Sequence, residues 1–171
     1  MKISMYDAAV TPGIRMMTNL ADVLEKAAQH AESKKIDPDV FVNARLAPDM
    51  FPLSRQVQIA SDSAKLGAAR LAGVTPPSYE DNEKTLPELA ERARKTARFL
   101  ETLKAEQFEG AEGRAVRWKS RSTEREMAGL PYLLHQMLPN VHFHCTTAYD
   151  ILRHNGVVLG KMDYLGREPP A

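Results

Sequence analysis

An all-helical, up-and-down four-helix bundle with a long first crossover and a small β-hairpin before the last helix is the fold this sequence predicts. Three observations predict it. Apolar residues recur at three-and-four spacing in long stretches. Capping boxes open two of those stretches. Proline-rich or alternating segments separate them. At 171 residues the chain suits one domain, whose core needs neither metal nor disulfide to hold it.

Ser4-Met-Tyr-Asp7 has the pattern of a capping box and opens a first helix reaching about Glu32. Met16, Met17, Leu20, Val23, Leu24, Ala27 and Ala31 form its stripe, and Pro12 is expected to kink its first turns. The paired methionines are read as core filling ahead of pocket lining, and His30 as solvated. From Asp37 to Pro52, three prolines rule out a long helix, yet Val40, Phe41, Leu46, Met50 and Phe51 are too apolar for a flexible linker. This segment reads as a structured crossover packed over one end of the bundle.

The second helix runs from about Pro52 to Ala72, with Leu53, Val57, Ala60, Ala64, Ala68 and Leu71 on one face and Ser61 and Gly67 beside them. So many small residues admit a close partner helix; the sharper alternative is a cavity. A proline-broken loop from Val74 follows. Thr85-Leu-Pro-Glu88 then caps the third helix, whose stripe is Leu86, Leu89, Ala90, Ala93, Ala97, Leu100 and Leu103. Glu88, Glu91, Arg92, Arg94, Lys95 and Arg98 read as its solvated face.

Between Gln107 and Gly129 the period changes. Arg114 to Lys119 and Thr123 to Met127 alternate around a polar turn at Ser120 to Ser122, which predicts a hairpin. Its outward basic residues are placed to recognise an acidic group or, more commonly, to protect an edge. Trp118 reads as a packing anchor. Gly129 to Leu138 is a short helix stopped by Pro139, and the last helix covers Pro139 to Gly156, ended by Asn155-Gly156. The tail from Val157 to Ala171 is read as extended and pinned by Leu159, Tyr164 and Leu165.

The last helix carries three of the five histidines, the only cysteine and Tyr149. At about 100° per residue, Val141, His144, Cys145, Ala148, Ile151 and Leu152 share the inward side. Adjacent His144 and Cys145 diverge by that same angle, so Cys145 reads as a buried small hydrophobe rather than a nucleophile. No nucleophile elbow or glycine-rich phosphate loop occurs. With 23 Lys+Arg against 22 Asp+Glu, a net charge of +1 and no long basic run, a nucleic-acid partner is not expected. No apolar run approaches the roughly 20 residues of a membrane span. Met-Lys-Ile-Ser-Met-Tyr-Asp lacks a signal-peptide core, so a soluble cytoplasmic protein is expected.

Leu46-Ala-Pro-Asp-Met-Phe-Pro-Leu53 with Gln56-Val-Gln, Arg70-Leu-Ala-Gly, Leu138-Pro-Asn, Phe143-His144 and Thr146-Thr-Ala-Tyr-Asp-Ile-Leu-Arg-His-Asn-Gly156 carry a resemblance over nearly the whole chain. The chain resembles the DinB-like superfamily of four-helix bundles, and within it a bacterial family of unknown function, number nineteen-ninety-three. Many superfamily members are metal-dependent enzymes in which one histidine on helix two meets two on the last helix, four residues apart. Here helix two has no histidine, and Asn140 and Ala148 stand four residues either side of His144. Only His144 matches a ligand position, so the resemblance transfers no metal site.

Spacing argues the same way. His144 and His154 lie ten residues, about 15 Å, apart along a helix, too far to share an ion. His142 and His144 diverge by about 200°. No metal or cofactor is therefore expected, the alternative being a two-histidine site completed by Asp62 or Glu side chains. The resulting reading is a small-molecule-binding or interaction module; the alternative is an enzyme in which Gln56, Gln58, Ser61 or Asp62 converge with His144 and Tyr149. Arg153, His154 and Asn155 form a second candidate ligand site, although cationic side chains in a last helical turn also simply complement the helix dipole. A homodimer is expected from the resemblance and from the apolar crossover and hairpin.

Overall fold

Ser4 caps the first helix with its side-chain oxygen, which accepts the Asp7 N–H in the computed structural model, where residues 3–120 and 122–166 are described. Helix α1 (Met5–Lys34) continues through Pro12 without interruption and ends at Lys35 in the left-handed conformation. The crossover holds a six-residue helix, α2 (Pro38–Asn43), that periodicity could not reveal because six residues span fewer than two turns. Asp37 caps it, Pro38 opens it, and its Phe41 and Val42 are buried.

Helix α3 (Leu53–Ala72) ends at Gly73, whose φ of 70° is the left-handed position that glycine takes without strain. Helix α4 (Leu86–Glu101) opens on the complete capping box: Thr85 accepts the Glu88 N–H, and the Glu88 carboxylate accepts those of Lys84 and Thr85. A 3₁₀ turn (Ala105–Phe108) leads to the hairpin, β1 (Ala115–Ser120) antiparallel to β2 (Thr123–Ala128), with Val116 opposite Met127. The centre of its expected turn, Arg121, lies outside the described residues, as does the tail beyond residue 166.

Pro139 does not stop a helix as its sequence context suggests. Helix α5 (Gly129–Tyr132), a π turn (Leu133–Met137) and α6 (Leu138–His154) follow one another without a break. In the π turn the Leu138 N–H reaches back five residues to the Leu133 carbonyl. Pro139, which has no N–H to offer, follows the π turn directly, in the first turn of α6. The tail is likewise not wholly extended: α7 (Lys161–Leu165) folds it back so that Tyr164 packs on the core, while Leu165 remains 40% exposed.

Most described residues are helical, and the long helices bury their apolar faces on one another. Helix α1 packs most extensively on α4, and α3 on α6. Ala60, Ala64 and Ala68 of α3 are fully buried, so the small residues serve close approach. Gly67 leaves no cavity, because a Cβ there would lie 2.5 Å from Met137 Cγ. Side chains such as Phe41, Leu24, Leu71 and Ile151 are at most 1% exposed, each worth about 1.5–3 kcal/mol against full exposure. Among the described residues, no helix is long and apolar enough to cross a membrane.

Candidate functional site

Seven residues are within about 20° of two full helical turns, so Gln56, Ser63 and Arg70 lie almost in line along α3. Four-residue spacing likewise stacks Gln136, Asn140 and His144 along the π turn and α6. The two helices run antiparallel: Gln56 meets His144 at one end, and Gly67 meets Met137 towards the other. Two polar stripes therefore border the seam between these helices. A π turn is uncommon and often marks a functional position; here it also carries Gln136.

At the first end, the Gln56 amide is almost fully buried and its orientation is fixed. Its Nε2 donates to the Phe51 carbonyl at 3.1 Å, leaving Oε1 to accept from His144 Nδ1 at 2.7 Å. This assigns the proton of the neutral imidazole to Nδ1 and the lone pair to Nε2. Burial, and after it the positive charge of Arg55, hold His144 below its ordinary pKa, so the ring is neutral near pH 7. Phe143, 57% exposed, stands edge-on to it.

About two helical turns further along α3 the seam opens into a cleft of about 280 Å³, bounded by Asp62, Ser63 and Arg70 from α3, Trp118 and Lys119 from β1, and Tyr132, Gln136 and Asn140 from the α5–α6 rod. Arg70 Nη1 donates to the Tyr132 hydroxyl at 2.9 Å, and the Trp118 and Tyr132 rings meet at 5.1 Å with a 59° tilt. Trp118 is thus the packing anchor that its alternation predicted and also a wall of the cleft.

Asp62 belongs to a second structure behind this wall. Arg92, placed by sequence on the solvated face of its helix, is only 3% exposed, as is Lys65. Position 92 sits three residues after Leu89 and four before Thr96, on the buried stripe, so the inward angle was legible but overruled by charge. Lys65 and Arg92 reach Asp62 at 2.9 and 3.2 Å; Arg92 also meets Asp81 and Glu83, and Arg55 pairs with Asp81. Gln58 donates to Glu83, Ser61 bonds Thr96, and the Tyr79 ring lies under Lys65. Three carboxylates thus face three cations, and the network ties the α3–α4 loop down as a structural unit.

The predicted residues therefore do not form one site. His144 and Gln56 converge, whereas Gln58, Ser61 and Asp62 turn into the ionic network. Tyr149 lies on another side of α6, beside Met16, Leu20 and Tyr164. Arg153 and His154 are exposed, and Asn155 caps its own helix by donating to the Ile151 carbonyl at 2.7 Å. The tail covers the helix earlier than 153: Tyr164 bonds His142 and Thr146. His30, read as solvated, is half-buried edge-on to Phe41. Cys145 is buried, its thiol pushed up to about 12 by desolvation. Among the described residues, no three His, Cys, Asp or Glu side chains converge as metal ligands. Arg70, Tyr132, Gln136 and Asn140 went unselected by sequence, although the in-line spacing of 56, 63 and 70 was visible there; Trp118 was read as a packing anchor and Lys119 only as one of the hairpin's outward basic residues.

The profile of a domain of unknown function, DUF1993, matches residues 5–165. The chain belongs to the DUF1993 family. A crystal structure of a DinB family member protein from Shewanella denitrificans is 43% identical, aligning over 97% of this chain and 94% of that one with a TM-score of 0.90. No functionally curated protein matches. In this DUF1993 chain His144 of the last helix is bonded to the Gln56 amide of α3.

Proposed function

We propose that this chain is a small-molecule-binding module of the DinB-like kind, an up-and-down four-helix bundle without a three-histidine metal centre, whose ligand seat is the cleft between α3, β1 and the π turn. One observation carries the reading: polar groups and two aromatic side chains from three separate elements border a concavity of about 280 Å³, just under the roughly 300–1,000 Å³ of ligand sites. A metal centre at His144 does not fit the residues present. The neighbours four residues away are Asn140 and Ala148, and Gln56 Oε1 is already engaged by His144 Nδ1.

The single tryptophan stands in the cleft wall and supplies the test. A charge-diverse library is screened by thermal shift and by Trp118 fluorescence. Compounds that raise the melting temperature are expected to change Trp118 emission, and Asn140→Leu is expected to weaken them. Stabilising compounds that leave Trp118 emission untouched, or no stabilising compound at all, would contradict the reading.

A second reading rests on the His144 tautomer. A neutral imidazole held through Nδ1, with its Nε2 lone pair available, is the form a general base takes. An enzyme acting there would lose turnover in His144→Gln and show one ionisation below the ordinary histidine value. Turnover that survives His144→Gln would count against it.

A further inference from the structure

The charge balance of the cleft identifies the class of ligand. We infer that the seat takes a planar, ring-bearing carboxylate, its ring against Trp118 and its carboxylate on Arg70; this rests on the cleft being the ligand seat. Arg70 is half-buried, and its guanidinium donates to a neutral phenol, the Tyr132 hydroxyl, at 2.9 Å. Among the described residues no carboxylate pairs with it. A guanidinium presents a planar fork of donors that matches a carboxylate in a two-point contact, and one neutral hydrogen bond leaves most of that fork unused.

The one acidic wall does not oppose this assignment. Asp62 is engaged by Lys65 and Arg92, and its network of Asp62, Asp81 and Glu83 against Arg55, Lys65 and Arg92 carries no net charge. Lys119 adds a second cation at the rim, where Glu124 faces it across the hairpin. The cleft is therefore positive through Arg70 above all. Trp118, tilted on the buried Tyr132 ring and itself only partly buried, presents ring surface to a flat guest, which gains more there than a puckered one. Ser63 and Asn140 supply hydrogen-bonding groups opposite the hairpin.

Isothermal titration of the full chain with 2-naphthoate, its neutral amide 2-naphthamide and cyclohexanecarboxylate tests both halves of the assignment. Naphthoate is expected to bind about tenfold or more tighter than either comparator, the scale of a charge-assisted hydrogen bond. Arg70→Met should bring naphthoate down to the affinity of the amide while leaving the amide unchanged, and Arg70→Lys should retain only part of the preference. Equal binding of acid and amide by the native chain, or an acid preference that persists in Arg70→Met, overturns the inference. If Arg70→Met fails to fold by circular dichroism, Arg70→Lys and Lys119→Met decide: each should lower naphthoate affinity, and no loss in either overturns it. Neutral or cationic ring compounds that bind and perturb Trp118 while acids do not would leave the seat standing and remove the ligand class. No binding by ring compounds of any charge removes both.

Discussion

The pair Gln56–His144 shows how much one buried amide decides. Because Gln56 Nε2 is committed to the Phe51 carbonyl, His144 must donate from Nδ1, and burial followed by Arg55 keeps the ring below its ordinary pKa. Unfolded, the ring titrates near 6.5; folded, it titrates lower. Between the two values the unfolded chain binds the extra proton, so the stability tied to His144 is complete above about pH 6.5 and declines as pH falls towards the folded value. NMR titration of the imidazole should give that lower midpoint. Arg55→Gln should raise it, and Gln56→Glu should raise it further by placing a carboxylate on the imidazolium. An unmoved midpoint in Gln56→Glu would contradict the hydrogen bond. Cys145 makes the opposite prediction about reactivity. Buried, and with its thiol pushed up to about 12, it should resist a disulfide reagent at pH 8 in the folded chain and react fully on unfolding. Rapid native modification would show that α6 opens.

At the scale of elements, glycines fix how closely the pieces sit. A Cβ at Gly67 would meet Met137 Cγ at 2.5 Å and Sδ at 2.8 Å, a flexible side chain that can move aside in part. A Cβ at Gly129 would collide with the backbone carbonyl of Ala111, which cannot. Both alanine substitutions should destabilise, Gly67→Ala by about 1–3 kcal/mol and Gly129→Ala by more. Urea unfolding ranks them, and the reverse order would contradict the packing described. The long helices were legible in the sequence because caps and stripes agree: Ser4, Thr85-Glu88 and Asn155-Gly156 sit at the helix ends they predict. The short helices α2 and α7 were not, since they are too brief to show a period. Pro139 misled because a π turn before it absorbs the missing donor, a register that residue type does not announce. Of the candidate site, His144's inward face was legible. The Arg70–Trp118–Tyr132 cleft was not, because it joins three elements distant in sequence, and Arg92 was assigned outward because charge outweighed its place on the stripe.

At the scale of the whole molecule, the hairpin turns Val116, Trp118 and Met127 onto the helices, so it offers little apolar surface of its own. The crossover differs: Val40, Leu46 and Phe51 are 54%, 40% and 56% exposed, and Phe143 of α6 is exposed as well. The homodimer expected from sequence is therefore predicted to form through the crossover. Light scattering should give about twice 19.1 kDa, with Phe51→Ser shifting the particle towards 19.1 kDa; a 19.1 kDa particle across the micromolar range would contradict it. The central claim is the ligand seat between α3, β1 and the π turn. Its most direct test is a ¹⁵N NMR titration of the intact chain with the compounds that stabilise it, following the Trp118 indole, the Arg70 Nε and the Gln136 and Asn140 side-chain amides. The account predicts that these four signals move together and saturate at one affinity, while those of Arg153 and Asn155 stay still. Shifts confined to the Gln56–His144 end or to the tail around Tyr164, with the four cleft signals unmoved, would contradict it.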